Sequence, residues 1–383
     1  MSRITKSGRW LVAVAVAAGL SLSACGSSDD TAGDNSSGGS GSCKPATLAF
    51  MAALTGDSAA LGQDALNGVN TAVGEFNDAN PDCKVDVKTF DSQGDPDQAT
   101  KLAPSIVGDS SIIGLVGPAF SGESLATGPA FNDAGLPSIS QSATNVTITQ
   151  QGWKYWHRVI ANDGAQAPAA AKYITTTAGA SKVFVVDDGS DYGKGLADGV
   201  RDSLGSADIG NDTITTGQTD FGPTVQKIMS SGADGVYYGG YYTECGLLLK
   251  QLRQAGYKGV FGSGDGSHNK AILKIAGDAA NDAFFTDAGA PATDAFKTLF
   301  AKYNNGEQPG SYSAEAYDAT KVFLDGIKSG VSDRESMENY INSYDAQGIT
   351  KEIKFDSTGE VATQTIYVYK VVNGAFDNGA PIE

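Results

Sequence analysis

Short strand-like runs and helix-like segments alternate along most of this chain, and the alternation occurs twice. In the first block, apolar runs such as ATLAFMAAL (46–54) and SIIGLVG (111–117) are separated by segments with apolar residues at helical spacing. The rhythm resumes after WKYWHRVI (153–160), with strands such as SKVFVVDDG (181–189) and ADGVYYGGY (233–241). Strands that alternate with helices of ten or more residues form parallel sheets with right-handed crossovers. The sequence therefore predicts an α/β fold of two doubly wound parallel-sheet lobes, with a cleft and a hinge between them.

The chain length also favours two lobes. About 340 residues remain for folding after the N-terminal segments, and this is more than one hydrophobic core usually accommodates. The second block is followed by a mostly helical tail that returns to complete both lobes. We expect lobe I to comprise residues 43–161 and 289–362, and lobe II to comprise residues 162–288 and 363–383.

The first 24 residues have the pattern of an export signal. Three basic residues precede an apolar stretch that is too short to span a bilayer comfortably. The segment closes on LSAC, which resembles the lipobox of bacterial lipoproteins, whose cysteine (here Cys25) becomes lipidated; an ordinary cleaved signal is the alternative. Residues 25–42 are rich in Gly, Ser and Asp and should form a solvated linker. We therefore expect an extracytoplasmic protein held at the outer face of the cell membrane by Cys25.

The charge balance argues against nucleic-acid partners. Removing residues 1–24 takes away three positive charges and no negative one, which shifts the formal charge from −17 to −20. A protein this acidic repels phosphate backbones. We expect no nucleic acid among its partners.

The cysteines that follow the linker have two different predicted roles. Cys43 and Cys83 each stand immediately before a strand-like run, CKPATLAF and CKVDVKTF, with one helix-length segment between them. In a doubly wound sheet these strands lie side by side and start at the same edge, and an oxidising exterior permits pairing, so we predict a Cys43–Cys83 disulfide. Cys245 lies in the apolar segment ECGLLLKQL with no histidine soon after it, and this favours a buried packing role over a nucleophile.

Two adjacent strand ends of the first block carry small and hydroxyl-bearing residues. A helix that begins near Ser121 leaves its first backbone N–H groups unpaired and positively polarised, so it can hold a carboxylate without any Lys or Arg side chain. The next strand end, SISQSATNVT, adds Ser142, Ala143 and Thr144. Together these ends predict a site for a small anion. Simple helix caps and turns remain the alternative.

The second block offers acids and aromatic residues at its strand ends. Asp265, between two glycines, and Glu244 are candidates for an ammonium partner, although the first also suits a turn and the second a helix cap. Aromatic residues at such junctions line a pocket only if their loops face a common cleft. The aromatic residues at these junctions are Phe120, Tyr192, Tyr241, Tyr242 and Tyr312.

From about residue 46 to the C-terminus, the chain resembles the leucine/isoleucine/valine-binding proteins. The resemblance rests on GLPSISQSATN, DYGKGLADGV, TDFGPTV, GGYYTE and GSGDG in this order and spacing. Those proteins are amino-acid receptors of ABC importers with the type I periplasmic-binding fold. The resemblance implies a monomeric receptor that closes its lobes on a branched-chain or other apolar amino acid and delivers it to membrane permease subunits.

The resemblance also implies a role for each site residue. Ser121 and Thr144 match positions that hold the ligand carboxylate, whereas the Ser142 carbonyl and Asp265 match positions that bind the ammonium. The remaining pocket positions are Leu61, Phe120, Ala143, Tyr192, Tyr241 and Tyr312. Asp265 is one methylene shorter than the usual glutamate, and Phe120 and Tyr312 are bulky. A different ligand class, such as an amide, a urea-like compound or an aromatic acid, therefore stays open.

An enzyme is the competing class of function. The run GKGLADG has Asp198 where a dinucleotide-binding loop needs its third glycine. The two histidines, His157 and His268, belong to no metal-ligand spacing or nucleophile elbow. We expect no catalytic residue, no cofactor and no metal.

Overall fold

The structure is a computed structural model that describes residues 43–382. The first lobe is built on a sheet of five parallel strands. Its strands are β1 (Ala46–Ala52), β2 (Val85–Asp91), β3 (Ile112–Val116), β4 (Ser138–Ser140) and β5 (Trp156–Arg158). Its helices are α1 (Ala59–Ala79), α2 (Pro96–Gly108) and α3 (Ser121–Asp133). The spatial order β2-β1-β3-β4-β5 is that of a doubly wound sheet, in which the strand order reverses beside β1.

The second lobe is built on a larger mixed sheet. Its parallel strands are β6 (Val183–Asp187), β7 (Asp208–Thr213), β8 (Gly235–Gly239), β9 (Val260–Ser263) and β10 (Phe284–Asp287). Its helices are α4 (Asp163–Lys172), α5 (Asp191–Leu204), α6 (Gly222–Ser231), α7 (Tyr242–Gln254) and α8 (Lys270–Ala276). The parallel strands follow the order β10-β9-β8-β6-β7.

The C-terminal part of the chain adds to both lobes. It contains α9 (Asp294–Tyr303), α10 (Ser313–Lys328), α11 (Arg334–Asn342), β11 (Asp345–Gln347), β12 (Glu352–Lys354), β13 (Tyr367–Val372), β14 (Ala375–Phe376) and β15 (Ala380–Pro381). Helix α10 packs along α1 of the first lobe. Strand β13 then pairs antiparallel with β10 of the second sheet. The chain thus passes between the two sheets three times, after β5, after β10 and after β12.

The sequence pattern predicts the central strands of the two sheets but not the edge strand of the second sheet. Strands β3, β6 and β8 are buried along their whole length, as expected for strands that helices cover on both faces. Strand β7 lies at the edge of the second sheet, and most of its residues are partly exposed. Its sequence DIGNDT has no apolar run or clear alternation, because an edge strand has less surface to bury.

Strands β1 and β2 lie side by side in parallel register, with Ala46 opposite Val85. Cys43 and Cys83, just before these strands, are joined by a disulfide with 5.6 Å between their Cα atoms. The bridge closes a sequence separation of 40 residues around α1. It therefore ties the N-terminal end of the described chain to the first lobe.

Candidate functional site

One side of the cleft is formed by the first turn of α3 and the loop after β4, which we call the carboxylate cradle (residues 121–122 and 142–144). Helix α3 begins at Ser121, directly after β3, and the Ser121 hydroxyl accepts a hydrogen bond from the Asn145 N–H at 3.3 Å. The first N–H groups of a helix have no intrahelical acceptor. The start of α3 is therefore a donor site that needs no cationic side chain.

The loop after β4 is held by its own hydroxyl groups. The Ser140 hydroxyl accepts from the Ala143 N–H at 3.0 Å, and the Ser142 hydroxyl donates to the Ala119 carbonyl at 2.7 Å. Thr144 is fully buried, yet its hydroxyl has no hydrogen-bond partner among the described residues. A buried polar group without a partner is costly unless a ligand or water satisfies it. The Thr144 hydroxyl is therefore a strong candidate for ligand contact.

The opposite side of the cleft presents Asp265, which follows β9 and is 1% exposed. Its Oδ1 accepts from the Tyr192 hydroxyl at 2.7 Å and from Gln166 Nε2 at 2.6 Å, and its Oδ2 accepts from the Tyr312 hydroxyl at 2.7 Å. Burial, followed by the nearby charge of Asp287, raises the pKa of Asp265 above its ordinary value. Since a carboxylate oxygen can accept two hydrogen bonds, Oδ2 retains room for a further donor.

Aromatic rings close the space between the two sides. The Tyr241 ring lies 5.2 Å from the Phe120 ring of the first lobe and 5.2 Å from the Tyr192 ring of the second. Tyr312 precedes α10 with a φ of 61°, a backbone conformation that a tyrosine rarely adopts. Its hydroxyl reaches Asp265 from that position. Aromatic residues at the starts of four separate helices thus face one common cleft.

A single small cavity contains most of the residues that the sequence singled out. Its volume is about 10 Å³, which is room for about one water molecule, so a larger ligand requires the lining side chains or the lobes to move apart. The lining residues are Leu61, Ala119, Phe120, Ser121, Ser142, Tyr192, Tyr241, Asp265 and Tyr312. Two predicted site residues, Ala143 and Thr144, are buried but do not line the cavity. Ala119 lines the cavity, although the sequence did not predict it.

The two acids that the sequence offered as ammonium partners lie in different places in the structure. Asp265 lies in the cavity, whereas Glu244, in the first turn of α7, accepts from the Gly217 N–H at 2.7 Å. Tyr242 also lies outside the lining, with its hydroxyl accepting from the Ala60 N–H at 3.3 Å. These two residues therefore have hydrogen-bond partners away from the cavity, and the partner of Tyr242 belongs to the first lobe.

A second buried acid, Asp163, was missed by sequence reasoning. It is the first residue of α4, it is 4% exposed, and neither of its carboxylate oxygens has a hydrogen-bond partner among the described residues. Burial, and next the charge of Asp265, raise its pKa well above the ordinary value, while the nearby Thr144 side chain and the charge of Arg158 act in the opposite direction. Its N–H donates to the Thr144 carbonyl at 2.9 Å, which places it beside the cradle. The only sequence signal is Asn162-Asp163 at a helix start, and this pattern is typical of ordinary capping.

The residues considered for catalysis are buried or paired with another side chain. His157 is buried and burial lowers its pKa to about 4, while His268 contacts Asp287 and stacks on Tyr369. Cys245 is fully buried, and burial raises its pKa to about 12. Within residues 43–382 no group of His, Cys, Asp and Glu side chains has the arrangement of a metal site. No helix in this same range is both long and apolar enough to cross a bilayer.

Comparisons with known proteins agree with this architecture. The profile of the periplasmic binding protein family matches residues 45–376. Leu/Ile/Val-binding protein homolog 3 of Brucella melitensis is 32% identical over 341 residues, which cover 86% of this chain and 92% of that protein. The leucine-, isoleucine-, valine-, threonine- and alanine-binding protein of Pseudomonas aeruginosa is 30% identical and covers 84% of this chain and 89% of its own length.

A solved structure shows the same fold. The branched-chain amino acid transporter substrate binding protein of Streptococcus pneumoniae, determined in complex with isoleucine, superposes with a TM-score of 0.82 at 26% identity. The match covers 88% of this chain and 99% of that one. The two lobes, the cleft at their strand ends and these relatives lead to one conclusion. The chain belongs to the periplasmic binding protein family, among the Leu/Ile/Val-binding proteins.

Proposed function

We propose that this protein is the substrate-binding receptor of an ABC importer and that it closes its lobes on a zwitterionic α-amino acid. The observation that carries the proposal is the cavity itself, in which Ser121 and Ser142 of one lobe and Asp265 of the other line a single space. A ligand that contacts both lobes stabilises only the closed arrangement. Binding is thereby coupled to a change of shape that a permease can recognise.

The charges of the cleft suit the two ends of an amino acid. The carboxylate would accept hydrogen bonds from the cradle, namely from the first N–H groups of α3 and from the hydroxyls of Ser121 and Thr144. The ammonium would donate to Asp265, to Asp163 and to the Ser142 carbonyl. Thr144 and Asp163 do not line the cavity, but they border the cradle, and neither Thr144 Oγ1 nor the Asp163 carboxylate has a well-aligned hydrogen-bond partner among the described residues.

The remaining wall suits an apolar side chain. Leu61 and the rings of Phe120, Tyr241 and Tyr312 line the cavity, and Tyr192 completes it. Relatives with at least 30% identity are named for binding leucine, isoleucine and valine. We therefore propose a branched-chain or other apolar amino acid as the ligand.

A screen of the twenty amino acids by calorimetry tests the proposal, because a folded receptor should bind at least one of them with a measurable, saturable heat. An Asp265→Asn variant keeps the side-chain size but removes the charge. It should bind that amino acid about a hundredfold or more weakly, since it removes a buried charged partner of the ammonium. Its affinity for the deaminated carboxylic acid should change little. A folded protein that binds no amino acid would contradict the proposal.

A carboxylic acid or amide without an ammonium is the second candidate ligand. It is favoured by the contact between the Phe120 and Tyr241 rings, which narrows the apolar part of the cavity. Such a ligand would use the cradle alone. The same calorimetric experiment distinguishes the two classes, because only an amino acid should depend on Asp265.

The cellular setting is part of the proposal. Periplasmic binding proteins act outside the cytoplasm, and we propose that Cys25 anchors this one to the membrane by a lipid. Residues 1–42, which include the predicted signal and linker, lie outside the described residues. We propose a monomer that acts as a receptor rather than an enzyme. Its lobe boundaries would be those given by the sequence, because residues 43–161 and 289–362 contain the first sheet and α10, and residues 162–288 and 363–383 contain the second sheet.

A further inference from the structure

Arg158, the last residue of β5, is fully buried behind the carboxylate cradle. Its Nε and Nη2 donate to Oε2 and Oε1 of Glu360 at 2.9 and 2.6 Å, so the pair is bidentate. The remaining Nη1 donates to the Ala143 carbonyl at 2.8 Å and to the Asn145 carbonyl at 3.1 Å. The guanidinium therefore holds the two carbonyls that flank Thr144.

The geometry of the peptide bond makes this contact directional. The Ala143 carbonyl and the Thr144 N–H belong to one planar trans peptide group, so they point in opposite directions. Because Arg158 holds the carbonyl from behind, the Thr144 N–H faces away from Arg158. Among the described residues this N–H has no acceptor, and the Thr144 hydroxyl has no partner. The Thr144 N–H is thus available to an anion, while the neighbouring Asp163 carboxylate competes for the hydroxyl.

The same contact is also electrostatic. A cation that binds a carbonyl polarises the peptide group, and it strengthens the hydrogen bond that the N–H of that group donates on its other side. Such an effect is large only where water is excluded, and Arg158 and Thr144 are both 0% exposed. The charge of Arg158 is also felt by Asp163, whose pKa it lowers in opposition to burial. A buried guanidinium, although paired with Glu360, therefore acts on a cradle that contains no basic side chain of its own.

We propose that Arg158 is a positioning residue that acts on the ligand carboxylate through the Ala143–Thr144 peptide group, without contacting the ligand. This inference rests on the proposed binding of a carboxylate in the cradle. The alternative explanation is a purely structural ion pair. In that case Arg158 and Glu360 only hold β5 against the turn that contains Glu360 and precedes Val361. The two roles differ in their effect on ligand charge, since only the first distinguishes a carboxylate from a neutral group.

The test compares an amino acid with its primary amide, which keeps the ammonium and the side chain but lacks the negative charge. Calorimetry would measure L-leucine and L-leucinamide, or the same pair for whichever amino acid binds most tightly in the screen. The wild-type protein should prefer the amino acid. Arg158→Met should lower this preference about fivefold or more, because the Ala143–Thr144 peptide group loses the charge-assisted hydrogen bond that polarises its N–H. Arg158→Lys keeps the charge and should recover part of the preference.

A matched control is available in the same lobe. Arg334 also donates to backbone carbonyls, those of Ile112 and Asp109, but at the N-terminal end of β3, which is opposite to the cradle. Arg334→Met should lower the stability of the lobe and leave the ratio of the two affinities unchanged. If Arg158→Met does not fold, Arg158→Gln makes the same comparison, since it keeps an amide donor but no charge.

The outcomes are distinct. Equal weakening of both ligands by the neutral Arg158 variants would show a structural ion pair and overturn the inference, while the proposed function would stand. A wild-type protein that binds no amino acid would overturn the proposed function, and this inference with it. A selective loss of the amino acid, with recovery in Arg158→Lys, supports the inference.

Discussion

Replacing Asp163 with asparagine should stabilise the ligand-free protein and weaken ligand binding at the same time. The Asp163 carboxylate is buried and has no hydrogen-bond partner among the described residues, and the nearby Asp265 has the same charge. An unsatisfied buried polar group costs about 1–3 kcal/mol, and a charged one costs more. The helix dipole at the start of α4 stabilises the Asp163 carboxylate by only about 0.3–1 kcal/mol. The cost of burial therefore dominates.

The size of the effect follows from these terms. A gain of about 1–3 kcal/mol corresponds to an increase in Tm of about 1–4 °C for a body of this length, given about 2.1 cal/mol/K of unfolding entropy per residue. The ligand should bind about 10- to 150-fold more weakly, because a hydrogen bond to a charged group is worth about 1.5–3 kcal/mol. Stability and affinity thus change in opposite directions.

The dependence on pH has a definite sign. Because the pKa of Asp163 is raised in the folded protein, the folded state binds its proton more tightly than the unfolded state does. The stabilising contribution is therefore present at low pH and is lost as the pH rises from about 3.9 through the folded-state pKa. An incoming ammonium favours the ionised carboxylate, so binding should release protons, and affinity should increase with pH over that window.

Thermal unfolding without ligand and calorimetry with ligand, each measured from pH 4 to pH 8, would test these expectations. Asp318→Asn is the matched control, because Asp318 is equally buried but accepts hydrogen bonds from the N–H groups of Ile349 and Thr350. This control should lower Tm and leave affinity nearly unchanged. An Asp163→Asn protein that is less stable than wild type, or that binds the ligand as tightly, would refute the reasoning.

Three further predictions concern other parts of the first lobe and the cavity. Replacing Cys43 and Cys83 with serine should lower the free energy of unfolding by about 2–4 kcal/mol in urea titrations, because the bridge closes a 40-residue separation; an unchanged midpoint would contradict this. Burial raises the pKa of Glu123 to about 8, so wild-type stability should fall as pH rises from about 4.5 to 8, and Glu123→Gln should remove that slope in chemical unfolding. Tyr312→Phe removes a hydroxyl that donates to Asp265 and should change ligand affinity by about 3- to 10-fold in calorimetry, with equal affinities speaking against the contact.

Local pattern was sufficient for most of the fold and for much of the cavity. Continuous apolar runs predicted the buried strands β3, β6 and β8, and helix periodicity predicted α1 and α5, because each signal lies within one element. Strand β7 was not predictable in this way, since an edge strand buries too little surface to leave an apolar pattern. The resemblance to a known family then supplied Leu61 and added support for the predicted roles of Ser121 and Asp265, which rest on the chemistry of the strand ends and not on periodicity.

The sequence by itself determined the two α/β blocks and the small residues at the strand ends. Only the tertiary structure decided which polar groups lack partners and which charges lie behind them. Asp163 reads as an ordinary first-turn acid, and Arg158 reads as a basic residue at the end of a strand. Folding buries both beside Thr144. Desolvation and the nearest charge set the behaviour of a buried group, and both depend on residues distant in sequence, such as Glu360 and Asp265.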